Sequence, residues 1–156
     1  MIDFEIYRMT LEDLSEVMVL EVNSHAHPWT KKNFEDSIES GYWVYILKTK
    51  TEGGEDQLIG HAVLMPGVEE LHLLNMTIAQ DVRRQKVAQR TLKAMEPLAL
   101  ERGLKQLILE VRVGNIGAIA LYESLGYKES ARRKNYYPGV AGGREDAIIM
   151  TKVLID

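Results

Sequence analysis

The sequence predicts an α/β (α+β) fold, a mixed sheet with helices on its faces. Three observations carry that prediction. Runs that alternate apolar with polar residues, such as "LKQLILEVRV" at 104–113, read as half-buried strands. Stretches with apolar residues three and four apart, at 11–24 and 87–102, read as helices. The two kinds interleave along 156 residues without a repeat, linker or low-complexity tract, which gives the order β-α-α-β-β-β-α-β-α-β-β in a single domain, 1–156.

Residues 2–8 alternate as a short strand, and Thr10 with Asp13 makes a capping-box start for a helix whose inner face is expected to carry Leu11, Leu14 and Met18. After "HAHPW", Thr30 caps a second helix with Phe34 and Ile38, and Gly41 stops it. "YWVYILKT" and "LIGHAVLM" read as a hairpin around the polar, glycine-rich "TEGGEDQ". A strand "ELHLLNMTIA" follows Pro66-Gly67 and leads through a polar turn into a helix from about Val87 to Arg102, with Val87, Thr91, Ala94 and Leu98 on one side. Pro97 is expected to kink that helix, because its ring removes one backbone bond, and Gly103 ends it. In the next strand Leu107, Leu109, Val111 and Val113 share one face; Gln106, Ile108, Glu110 and Arg112 share the other. Asn115 caps a helix with the stripe Ala118, Leu121, Tyr122 and Leu125, up to Gly126. The strands "YKESARRKNYY" and "DAIIMTKVLI" then flank the loop "PGVAGGRE".

Composition narrows the function. Hydrophobic residues are 46% and charged residues 27%, which is that of a globular chain, so it is expected to fold on its own. A formal net charge of -4 leaves no global basic field for phosphate backbones, and direct nucleic-acid binding is not expected. The chain has no cysteine, which removes disulfides, thiolate metal sites and a cysteine nucleophile. No leader pattern and no membrane-spanning run is visible, so the expectation is a soluble, cytoplasmic protein, with a monomer as the default. His25 and His27 alternate in a loop without a third ligand, and no metal is expected.

Three features point to chemistry. "RRQKVA" joins a strand to a helix N-terminus, where unpaired N–H groups favour an anion such as pyrophosphate, although a solvated turn reads equally well. Glu110 sits in a run otherwise built like a buried strand, and Tyr122 falls on an apolar helical stripe. Taken alone, Glu110 could simply face water beside Arg112, and Tyr122 could be a core tyrosine.

Strand, basic turn, helix, strand with Glu, and then N-x-x-A-x-x-L-Y-x-x-x-G-Y at 115–127 is an order that resembles the GCN5-related N-acetyltransferases (GNAT). "HPW", "LEVR", "NIGAIALYESLGY", "RRKNYYP" and "GREDAIIM" are similar to the branch that acetylates the N-terminal alanine of a small-subunit ribosomal protein, over about residues 10–150. The resemblance implies a mostly antiparallel sheet of about seven strands with four helices, splayed between strands four and five. It implies acetyl-CoA as cosubstrate and a ribosomal-protein N-terminus as acceptor. The backbone of Met76, Thr77 and Ile78 would pair with the pantetheine arm. The turn Arg84, Gln85, Lys86, Val87, Ala88 and Gln89 would hold the pyrophosphate, and Asn115 would touch the cofactor. Glu110 would accept a proton and Tyr122 donate one, because an amine attacks only when neutral and a thiolate must leave protonated. Burial raising the carboxyl of Glu110 would suit that role.

Lys86 departs from the family pattern, which has glycine there; the lysine could strain the turn or add a phosphate contact. Tyr136, Tyr137 and Pro138 could wall a peptide groove opposite "HPW", with carboxylates around it drawing in a basic terminus. Two other readings stay open: the same chemistry on other N-termini, a lysine or a small amine, and a weakly catalytic partner-binding module.

Overall fold

The computed structural model describes residues 1–139 and 142–154, so Val140 and Ala141 of the expected loop and Ile155 of the last strand lie outside the described residues. The expected order of elements is present: β1 (Glu5–Arg8), α1 (Leu14–Ser24), α2 (Lys31–Glu39), β2 (Trp43–Lys50), β3 (Asp56–Pro66), β4 (Glu70–Ile78), α3 (Val87–Glu101), β5 (Gln106–Arg112), α4 (Ile116–Ser124), β6 (Lys128–Pro138) and β7 (Arg144–Val153). The sheet runs β1-β2-β3-β4-β5-β7-β6. Pairs β1–β2, β2–β3, β5–β7 and β6–β7 are antiparallel, whereas β4 and β5 run parallel. Their parallel ladder covers only Glu70–Leu73 against Gln106–Leu109, although β4 continues to Ile78. Among the described residues no helix is long and apolar enough to cross a membrane.

The chain divides into two compact units, Met1–Met65 with Leu74–Leu92, and Pro66–Leu73 with Lys93–Asp156; β4 and α3 each contribute to both. In the first unit, β2 is buried along Trp43–Leu47, because both of its faces are covered. One cluster joins Met9, Leu14, Val17, Phe34, Val44, Ile46 and Val63; another joins Leu47, Ile59, Val82 and Val87, with Ile2, Phe4 and Ile6 against it. In the second unit Leu107, Leu109 and Val111 are buried on β5, with Ala147, Ile148 and Met150 on β7.

Local sequence explains the element starts. The expected capping box forms at Thr10 with Asp13, and Thr30, expected as a cap, makes a box of its own with Asn33. The inner face of α1 differs from expectation. Leu11 is 57% exposed, because residues 11–13 form a single 3-10 turn whose phase differs from the helix that follows. The buried side of α1 is Leu14, Val17 and Glu21. In α3 the buried residues are Val87, Thr91, Leu92, Met95 and Ala99, while Leu98 is 39% exposed. The buried stripe centres on Leu92, Met95 and Ala99, which leaves Leu98, about 100° from Ala99, at its edge. The helix runs through Pro97, and both Pro97 and Lys93, whose carbonyl loses its partner, are exposed to water.

Gly60 in β3 marks a close approach. A Cβ there would lie 2.7 Å from the Thr77 carbonyl oxygen and 3.0 Å from Leu47 Cδ1. Gly60→Ala is expected to destabilise the protein by about 1–3 kcal/mol, the usual cost of overpacking. Urea unfolding checks this against Gly53→Ala, whose Cβ would meet only Thr51 Oγ1 at 3.9 Å.

Candidate active site

The second unit holds Glu110, Asn115 and Tyr122. Glu110 lies on the face of β5 opposite Leu109 and Val111, so its carboxylate escapes the core. Its side chain keeps 32% of its surface, and Oε1 stands 3.7 Å from Arg133 Nη2 on β6. The residue is therefore a partly solvated carboxylate with an ionic partner, as strand alternation alone implies, and not the desolvated one that would best suit a proton acceptor. Tyr122, on α4, is half-buried, with its ring 5.8 Å from that of Tyr127. Burial, and secondarily Tyr137, push its hydroxyl up to about 12. It therefore keeps its proton throughout the neutral range. Asn115 caps α4 by accepting from Ala118 N–H at 3.2 Å, which accounts for its Oδ1.

Tyr137 lies in the electrostatic reach of both expected catalytic residues. Its own hydroxyl is raised by burial and then by Glu110, and it in turn raises Tyr122. The hairpin that carries it is held by charge. Arg112 Nη1 donates to Pro138 O at 2.7 Å and to Glu145 Oε1 at 3.3 Å, with its guanidinium 4.4 Å from the Tyr137 ring centre. Gly114 N–H donates to Glu145 Oε2 at 2.7 Å, and Asn135 N–H to Asp146 Oδ1 at 2.9 Å. Tyr136 packs edge-on against Tyr137 at 5.0 Å and lies under Arg133. Arginines as well as carboxylates thus surround the tyrosine pair, where the sequence reading invoked carboxylates alone.

The first unit holds Met76–Ile78 on β4 and the turn before α3. Arg84 and Lys86 both have left-handed backbones, φ 70° and 57°. Lys86 adopts the conformation that glycine would take freely, at a cost of roughly 1–2 kcal/mol for an L-residue. Neighbouring groups pin the turn: Ile2 N–H donates to Gln85 Oε1 at 3.1 Å, and Arg90 Nη1 donates to Ile2 O at 2.6 Å. Val87 is buried at the start of α3, with Ala88 and Gln89 half-buried beside it.

Sequence reasoning missed Glu21. On α1 it is 1% exposed and accepts hydrogen bonds from Trp29 N–H at 2.9 Å, Asn75 Nδ2 at 3.1 Å and Thr77 Oγ1 at 3.0 Å. His61 Nε2 stands 3.3 Å from Oε1, and His25 Nε2 lies 3.6 Å from it and 2.7 Å from Thr77 Oγ1. Burial alone would push this carboxyl up. The close approach of His61, the Trp29 N–H and the charges of His25 and His61 outweigh burial and hold it at about 2. The available signal was a charge at the i+3 and i+4 spacing from Met18 and Val17 on an otherwise apolar face. Among the described residues no group of three or more His, Cys, Asp or Glu side chains is arranged to hold a metal ion.

Comparison with known proteins gives a consistent result. The Acetyltransferase (GNAT) family matches residues 6–127. The chain is 38% identical over 138 residues to the ribosomal protein bS18-alanine N-acetyltransferase of Escherichia coli strain K12, covering 88% of this chain and 89% of that protein. It is 33% identical over 144 residues to the protein of the same name from Haemophilus ducreyi, covering 92% and 95%. Its fold superposes on the crystal structure of the Escherichia coli ribosomal-protein-S18-alanine N-acetyltransferase with a TM-score of 0.85 at 34% identity, over 99% of this chain and 96% of that one. Ard1 from Thermoplasma volcanium shares the fold, with a TM-score of 0.78 at 22% identity, over 98% and 99%.

Two outcomes follow from this geometry. Lys86→Gly releases the left-handed penalty but adds unfolded-chain freedom worth about 0.4–1 kcal/mol, so a net gain of roughly 0.5–1 kcal/mol is expected in urea melts. Glu21 behaves with a definite sign: its folded value of about 2 lies below its ordinary 4.5, so its stabilisation is complete above pH 4.5 and is lost as pH falls towards 2. Glu21→Gln is expected to melt below the parent near pH 6 and to converge on it between pH 4.5 and 2, as thermal melts across that range would show.

Proposed function

The chain belongs to the GNAT family and is an acetyl-CoA-dependent acetyltransferase, and from that premise we propose that it acetylates the N-terminal alanine α-amine of ribosomal protein bS18. The observation that carries the acceptor is the likeness, along nearly the whole chain, to relatives named for that substrate. Because the family match runs through both compact units, we take residues 1–156 as one catalytic domain.

Acetyl-CoA supplies the acetyl group as a thioester. The residues present suit its binding. Arg83, Arg84 and Lys86 place positive charge at a turn that opens onto the N-terminus of α3, and Lys86 keeps the left-handed backbone despite lacking glycine's freedom. Residues 76–78 of β4 lie past the last residue paired with β5, which leaves that stretch for the pantetheine arm.

Glu110 takes the proton of the attacking amine, directly or through a water, which its partial exposure permits. Tyr122 returns a proton to the departing thiolate; with its hydroxyl at about 12 it is fully protonated when needed. An α-amine of pKa about 8 is roughly 10% neutral at pH 7, against far below 1% for a lysine, so the chain terminus is the more available nucleophile. Tyr136 and Tyr137, fixed by Arg112 and Glu145, offer an aromatic wall for the first residues of the peptide.

Mass spectrometry tests the reading. A peptide with the bS18 alanine terminus, incubated with acetyl-CoA and the protein, is expected to gain one acetyl group, while an N-blocked peptide containing lysines gains none; transfer to lysine alone would overturn the acceptor. Glu110→Gln and Tyr122→Phe are each expected to lower kcat by about 10²–10⁴-fold. The alkaline side of the kcat profile should show no loss from Tyr122 between pH 7 and 10.

A further inference from the structure

We infer that Glu21 is a positioning residue shared by both substrates, a buried carboxylate that ties the loop between α1 and α2 to the strand proposed to hold acetyl-CoA. This rests on the acetyl transfer proposed above and adds a residue which that reading does not use.

The two arms of the tether are distinct. Glu21 Oε2 accepts from the backbone N–H of Trp29, in the "HPW" segment read as one wall of the acceptor groove, and from Asn75 Nδ2. Its Oε1 accepts from Thr77 Oγ1. Asn75 and Thr77 flank Met76 on β4, so both neighbours of Met76 are gripped from one side of the sheet by the same carboxylate. That grip fixes the orientation of the peptide units at 76–78 in the stretch beyond the ladder with β5, where pairing with that strand no longer fixes them.

The neighbouring groups favour a held carboxylate over a passive one. Thr77 spends its hydroxyl proton on Glu21 and so accepts from His25 Nε2, which remains 39% exposed at its side chain. His61, fully buried and edge-on to Phe34 at 5.3 Å, places Nε2 against Oε1. A carboxylate used only to stabilise α1 needs no partner on β4. This one has two, on either side of a single residue.

The experiment separates the arms. Thr77→Val keeps shape, removes the Thr77 contacts to Glu21 Oε1 and His25, and leaves Trp29 and Asn75 on Oε2; it is expected to weaken acetyl-CoA binding, measured by titration calorimetry, by about 5–10-fold, with the peptide KM within about two-fold of the parent. Thr77→Ser, which keeps the hydroxyl, is expected to restore binding. Glu21→Gln is expected to raise the KM of both substrates. The inference is overturned if Thr77→Val leaves acetyl-CoA binding within two-fold, if Thr77→Ser behaves like Thr77→Val, or if Glu21→Gln changes only kcat or melting temperature. Should Glu21→Gln not fold, the Thr77 pair decides the matter. A parent protein that binds acetyl-CoA but modifies no alanine peptide would sink the acceptor reading alone, and the calorimetric comparison would still decide the strand arm.

Discussion

A carboxylate with almost no exposure sets the terms for the first unit. Removing Glu21 from water costs several kcal/mol unless its oxygens are met by donors. The donors here come from the loop after α1, through Trp29, and from β4, through Asn75 and Thr77, with His61 on β3 closing the remaining side. Those requirements fix where α1 can lie over the sheet and where the loop after it must turn. The apolar cluster of Leu14, Val17, Phe34 and Val63 supplies the burial energy, but it would tolerate many registers; the polar contacts admit few.

The second unit solves a different problem. β6 is exposed along nearly its whole length, so no core contact dictates its register against β7, and its pairing is irregular near Glu129 and again after Arg133. Charged latches do that work instead. Glu145 joins Arg112 to Gly114, and Asp146 takes the N–H of Asn135, whose own φ of 52° bends the strand. A Cβ at position 114 would come as close as 2.5 Å to Glu145 Oε2, so the carboxylate would have to shift to make room for any other residue. The tyrosine pair is thereby placed by ionic geometry and not by packing, which explains why "RRKNYYP" and "GRED" belong together in the sequence.

Local rules read most of this architecture directly. The helix caps at Thr10 and Thr30, glycine stops at Gly41 and Gly103 and the alternation through 106–112 each depend on neighbours a few residues away, and each stands where the sequence places it. The misreadings have a common cause. Spacing by threes and fours puts Leu11 and Leu98 on inner faces; a 3-10 turn displaces Leu11, and the buried stripe of α3 centres on Leu92, Met95 and Ala99 and leaves Leu98 at its edge. The position of Glu21 on an apolar helix face is legible, but its partners are not, because they come from positions 29, 61, 75 and 77 and a single glutamate in a helix carries no mark of distant donors. Glu110 and Tyr122 were legible only through the motif that surrounds them; alternation alone leaves Glu110 a surface residue, and its partial exposure agrees with that physical reading.

The turn before α3 shows how a departure from pattern is absorbed. Two left-handed non-glycine residues, Arg84 and Lys86, together cost on the order of 2–4 kcal/mol, and such strain persists only where the surroundings over-determine the backbone. The surroundings are visible on both flanks. Gln85, between the two, is held by Ile2 N–H, and Arg90, one turn into the helix, bonds Ile2 O and lies 4.5 Å over the Phe4 ring. Val87 is buried against Leu47 and Ile59 at the point where the helix begins. The N-terminal residues therefore act as a splint: they hold the chain on each side of Lys86 so that its amide directions are those a glycine would give. Loss of the splint would let the lysine relax out of the left-handed region, and the amide directions of the turn would change with it.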